Sequence, residues 1–320
     1  MLDRQTFFVD NGDNWQLALH RHQMPDRLDR KRRPLVLVPG FAMNSFVLGY
    51  HPRGASLVEY LAAQGFEVWC TELRGQGDSR PGPRASRRFG LADLGLVDLA
   101  AALEGVRRHS DVDAEQVDAI GCSLGATFVF MQAAWWPIPR IARIVNLGGP
   151  MRWTSVHPTL RALSTVPALW GAMAFRGTRR IARLALPLAA RVPGLLHVYL
   201  HPAICDLSEP ATLVQTVDDP IPSVNIEIAR WIRDGDLVVE GRNLTHAVAE
   251  LQQPLLTIVA NADGIVPEAT TCSAHNIVRS ANRRVIYAGD EHRPMAHADL
   301  FISDLAEAQV FRPLSEWLLG

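Results

Sequence analysis

The sequence predicts an α/β fold: a mostly parallel eight-stranded sheet flanked by helices, with a helical cap inserted after the sixth strand. Three observations carry that expectation. Short apolar runs alternate with longer stretches of helical periodicity, as parallel strands joined by crossover helices require. The alternation breaks over residues 151–247, which are rich in Pro, Trp and Arg and hold no convincing strand. One apolar run, VDAIGC (117–122), ends abruptly in a serine bracketed by glycines, with a helical stretch after it.

In chain order, TFFVD (6–10) and WQLALHRH (15–22) read as an antiparallel pair around the turn Asn11-Gly12-Asp13-Asn14. Six further runs follow: PLVLVPG (34–40), FEVWCTEL (66–73), VDAIGC (117–122), RIVNLGG (143–149), PLLTIVA (254–260) and RRVIYAG (283–289). Those that are continuously apolar fit strands buried on both faces. Helical patterns lie near 54–64, 92–109, 124–135, 267–279 and 304–319. The core is thereby assigned to 1–150 and 248–320, and the cap to 151–247.

Composition bounds the function. At 320 residues and 48% hydrophobic, the chain can bury one large core, or a core plus an inserted subdomain. A formal net charge of -1 gives no global field toward nucleic acid, and no nucleic-acid partner is expected. The N-terminus has no apolar run of signal-peptide length. No segment reaches the roughly 18 uninterrupted apolar residues of a membrane span. The most apolar one, 181–200, is broken by Arg183, Pro187, Arg191 and Pro193. The expected address is the cytoplasm, where Cys70, Cys122, Cys205 and Cys272, far apart and without a CxxC pair, are free thiols. No metal or cofactor is expected. His20 and His22 alternate on a strand with no third ligand in view, and GPRASRRFG lacks the order of a phosphate-binding turn. Composition leaves the oligomeric state open.

A serine hydroxyl is a poor nucleophile unless it is exposed, paired with a base and faced by an oxyanion site. A sharp strand-to-helix turn exposes it, and the crowding there admits only small neighbours, giving G-x-S-x-G. Gly121, Ser123 and Gly125 have that spacing, between a strand and the helical stretch LGATFVFMQAAWW (124–136). Only the central residue of such a turn faces the cleft. Cys122 is therefore expected to pack into the sheet, where an apolar setting keeps a thiol inert.

With that turn the chain resembles the α/β-hydrolase family over nearly all of its length. FEVWCTELRGQGDS (66–79) is similar to the family's strand ending in D-x-R-G-x-G-x-S, with Glu72 where Asp is usual. VPGFAMN (38–44) resembles the loop that normally reads H-G-x, with Pro39 in place of the histidine. The resemblance implies that the Phe41 and Leu124 amides form an oxyanion hole. It implies an acid at Asp263, in NADGIVPEA (261–269), and a base on the loop 289–302. That loop offers His292 and His297. MAHADLFI favours His297, with Asp299 near a helix N-terminus, where negative charge is favoured.

The pattern looks most like bacterial lipases and esterases, with a distant likeness to polyhydroxyalkanoate synthases, which carry cysteine where this chain has Ser123. The resemblance implies Ser-His-Asp hydrolysis of a small-molecule or lipid-like carboxylic ester with a hydrophobic part, needing no cofactor. Acyl transfer by the same triad, or ligand binding without catalysis, are the alternatives. The cap adds one feature. From Ala119 to Cys205 there are nine arginines and no acidic residue. That is either a solvated basic face or a positive, apolar lid suited to amphiphilic or anionic acyl substrates.

Overall fold

A computed structural model of the chain describes residues 1–138, 140–172, 176–192 and 194–320. Its main sheet is built from β1 (Asp3–Asp10), β2 (Trp15–Gln23), β3 (Leu35–Val38), β4 (Val68–Glu72), β5 (Val117–Cys122), β6 (Ile141–Leu147), β7 (Leu255–Ala260) and β8 (Arg283–Ala288). Their order is β1-β2-β4-β3-β5-β6-β7-β8, with the two-residue strip Arg80–Pro81 beside β2. β1 and β2 pair antiparallel, as do β2 and β4; every other neighbouring pair in that path is parallel.

The apolar runs mark these strands because both faces of the sheet are covered. Val36 and Val38 point to one face, with Ala119, while Leu35 and Leu37 point to the other, with Ile120 and Cys122. The first face packs on α2 (Leu99–His109) and α3 (Leu124–Trp135), the second on α1 (Leu57–Ala63) and the C-terminal helix Arg312–Leu319. The buried Asp118 interrupts the apolar run of β5 at a one-residue register shift against β6, and its carboxylate takes Arg33 at 2.9 Å and Arg143 at 2.7 Å.

The boundaries differ from the sequence expectation where backbone chemistry intervenes. β3 stops at Val38 because Pro39 has no amide to continue the ladder, and β6 stops before Gly148, which turns at φ 62. The helical stretch expected at 267–279 is two short helices, Glu268–Thr271 and Ser273–Ile277. Those at 92–109 and 304–319 each open with wide π-type turns, Asp93–Asp98 and Glu307–Phe311.

Between β6 and β7 lie α4 (Pro158–Ser164), α5 (Pro167–Ala172), α6 (Thr178–Ala189) and α7 (Pro222–Asp234). α4 and α5 pack on α7, whose Val224, Ile228, Trp231 and Ile232 are buried. Pro222 opens α7 and Gly235, at φ 82, closes it. Against expectation this interval does contain strand: Val238–Val239 pairs with Arg242–Asn243 around Glu240 and Gly241, both at positive φ. Two residues per arm are too few to show periodicity in sequence. Among the described residues, no helix is long and apolar enough to cross a membrane.

Candidate active site

Ser123 sits where β5 turns into α3, at φ 54 and ψ −127, a conformation an L-residue rarely adopts. Packing on every side imposes it. A Cβ on Gly121 would lie 2.2 Å from Cα of Ala126, and one on Gly125 would lie 2.1 Å from the Val38 carbonyl oxygen. Two further glycines share the constraint: a Cβ on Gly149 would stand 2.4 Å from the Ser123 carbonyl oxygen, and one on Gly40 2.9 Å from the Ser123 Cβ. Sequence reasoning singled out only the bracketing pair. The Ser123 amide donates to the Leu147 carbonyl at 2.8 Å, fixing the turn to β6. Cys122 is fully buried on the opposite face, and burial pushes its thiol well above the ordinary range.

His297 is buried, and its Nδ1 lies 2.6 Å from Asp263 Oδ2. The other carboxylate oxygen of Asp263 accepts from the Ile265 and Val266 amides, each at 2.8 Å. One oxygen thus makes the turn that an Asp-Gly pair announces, and the other meets the imidazole. Ser123, His297, Phe41 and Leu124 all line one mostly apolar cavity of about 220 Å³, with Trp153, Trp170 and Ile228 among its walls. His292 is not brought there: it is exposed, and its amide caps Asp290 at 2.9 Å. A larger cavity, about 530 Å³, opens near Trp136 and Arg242 but holds none of these groups, so size does not mark the site.

The loop carrying Phe41 is held without the histidine that Pro39 replaces. Gln76 Nε2 donates to the Gly40 carbonyl at 2.8 Å, and the Asp218 amide to the Ala42 carbonyl at 3.0 Å. Glu72 accepts from the Ser45 amide at 3.2 Å and hydroxyl at 2.7 Å, and from the Asp78 amide. Burial opposes the charge on Glu72, but contacts with His20, Ser45 and Asp78 outweigh it and hold the carboxyl below its ordinary value. Leu124, the first residue of α3, has an amide that the helix itself leaves without an acceptor.

Two features escaped sequence reasoning. His20 does find neighbours: its Nε2 lies 3.3 Å from Glu72 and 3.9 Å from Asp78, and the three groups lie within 4.8 Å of one another. The partners come from β4 and the loop beyond it, which no local spacing reveals. The second is the segment Val198–Cys205, which threads between the two loops of the site. The Gly264 amide donates to Val198 and the Ala298 amide to Tyr199, whose ring centroid lies 6.2 Å from that of His297. Asp299, expected only to favour a helix N-terminus, is buried and accepts from the Ala296 and His201 amides and from Cys205 Sγ.

The family profile described as alpha/beta hydrolase fold matches residues 33–292, ending just before His297. A search of curated proteins returns no match. Among solved structures, the chain is similar to an esterase from Exiguobacterium antarcticum at a TM-score of 0.66 and 12% identity, covering 99% of this chain and 100% of that one. It is similar to an esterase from Rhodococcus sp. at a TM-score of 0.61 and 16% identity, covering 99% and 98%. It is also similar to a 2-hydroxy-6-oxo-6-phenylhexa-2,4-dienoate hydrolase from Rhodococcus sp., at 0.65 and 14%, covering 100% and 98%. At such identities these likenesses speak to the fold. With the profile spanning most of the chain and the eight-strand sheet in place, the protein belongs to the α/β-hydrolase family.

Proposed function

We propose that the chain is a serine hydrolase of carboxylic esters that carry a hydrophobic acyl or alcohol group. The observation that carries this reading is the shared apolar cavity: Ser123 and His297 line it together, with His297 anchored on Asp263 at 2.6 Å. Ser123 Oγ attacks the ester carbonyl while His297 Nε2 takes its proton. Asp263 holds the ring's orientation and stabilises the imidazolium without taking the proton itself. Negative charge develops on the carbonyl oxygen, and the Phe41 and Leu124 amides are the donors assigned to it. His297 returns the proton to the departing alcohol. Water, deprotonated by the same ring, then releases the acyl group as a carboxylate. No step calls for a metal or cofactor.

In this reading residues 151–247 act as a cap over the core 1–150 and 248–320, and Trp153, Trp170, Ile228 and Ile232 set the preference for apolar substrate. The test is kcat/KM across p-nitrophenyl esters of increasing acyl length, with water and with an added alcohol acceptor. Efficiency is expected to rise from acetate toward medium chains, with carboxylate as the main product. A steep optimum at acetate would overturn the hydrophobic preference. Ester formed with the added alcohol as the main product would make the protein an acyltransferase.

A further inference from the structure

Helix α6 presents the wrong side to water. Ile181, Leu184 and Leu188 are 52%, 75% and 62% exposed, and in the turn beyond it Val192 and Leu195 are 52% and 57% exposed. None of the helix's residues is buried. At 100° per residue, Ile181, Leu184 and Leu188 fall on one face. Leu186 and Ala182 fall on another, where they line an apolar cavity of about 140 Å³ with Tyr199 and Ala298, the neighbour of His297. A third sector, bordering the exposed apolar stripe, carries Arg180 and Arg183, and Arg191 follows in the next turn. Among the described residues, no carboxylate lies within ion-pair distance of these three, whereas Arg179 is paired with Asp218 at 3.1 Å.

We propose that α6 and the turn after it dock on a lipid surface bearing anionic headgroups, with the leucine stripe among the acyl chains and the arginines at headgroup level. An amphipathic helix with an exposed apolar face and a cationic border has the design of an interfacial helix. The charge decides against a second copy of the chain. A second copy meeting this face through the same stripe would bring three more arginines and, from its own helix, no carboxylate to pair with them. The same helix lines, through Leu186, a cavity that shares Tyr199 as a wall with the cavity of Ser123 and His297, so docking would set the site beside the membrane. The proposal stands apart from the role given to Ser123, and the test uses the Ser123→Ala variant so that a failed hydrolase assignment leaves it intact.

Ser123→Ala protein is sedimented with phosphatidylcholine vesicles made with and without phosphatidylglycerol. It is expected to pellet with the anionic vesicles, stay in solution with the neutral ones, and be released by salt. Adding Leu184→Glu with Leu188→Glu, or Arg180→Gln with Arg183→Gln and Arg191→Gln, is expected to lower partitioning by at least about tenfold. Circular dichroism melts should be unchanged, since all five side chains face water. Equal partitioning into both vesicle types, or into neither, overturns the proposal. So does a dimer in light scattering that the leucine substitutions dissociate, which would assign the stripe to self-association.

Discussion

Two helices of this chain stand in opposite relation to solvent. α3 is apolar all round and buried from Leu124 through Ala133, because it lies between the sheet and its outer helices. α6 buries none of its residues and turns a leucine stripe outward. The first holds Ser123 by backbone contacts that leave no room for a side chain at the flanking glycines. The second rests on a few partly buried apolar side chains, Ala182 and Leu186 chief among them. The difference separates two tasks. In the proposed function the core fixes the positions of the reacting groups, and residues 151–247, acting as a cap, govern what reaches them.

Substitutions that cross this division should differ by orders of magnitude. The largest effect is expected at the turn itself. Gly125→Val drives a branched side chain into the Val38 carbonyl, and should cost more than about 4 kcal/mol, measured by chemical denaturation, or yield no folded protein. Next comes the base. His297→Ala should lower kcat by a factor on the order of a thousand or more, while His292→Ala should cost at most about a few-fold. The reverse outcome would move the base to His292 and break the link between Asp263 and the site.

A smaller, pH-dependent effect belongs to the core's first strands. Burial, with Arg4 and His20 adding to it, depresses His22 to about 3, from an ordinary 6.5. The folded chain therefore keeps the ring neutral, while the unfolded chain takes a proton below its ordinary value. Stability from this group is present above pH 6.5 and lost as pH falls toward 3. Between pH 6.5 and 5 the loss should be about 2 kcal/mol, read by denaturant titration, and His22→Gln should flatten that slope. The smallest effect is expected on the cap's outer face: Leu184→Ala should change folding stability by less than about 0.5 kcal/mol.

Much of the fold was legible because buried parallel strands write themselves as continuous apolar runs, and all eight have counterparts in the sequence. The serine turn was legible for a related reason: steric crowding leaves a local signature in Gly121 and Gly125. What was not legible depends on partners distant in the chain. Glu72 reads as a departure from a motif until Ser45 and His20 are seen at its carboxylate. Asp299 reads as a helix-start charge, yet its oxygens gather the Ala296 amide from the site loop and the His201 amide from the segment returning from the cap. Tyr199 carries no motif; it stands beside His297 because the Ala298 amide binds its carbonyl. Short elements fail differently, since the hairpin at Val238–Asn243 offers no period to detect.

The proposed function stands or falls on Ser123, and not the neighbouring Cys122, being the nucleophile. Reaction of the intact protein with a fluorophosphonate probe, followed by peptide mass spectrometry, tests it most directly. One label is expected, on the peptide containing Ser123, abolished by Ser123→Ala and mostly retained by Cys122→Ala, because the native Cys122 thiol lies buried against the sheet. Labelling that survives Ser123→Ala would contradict it.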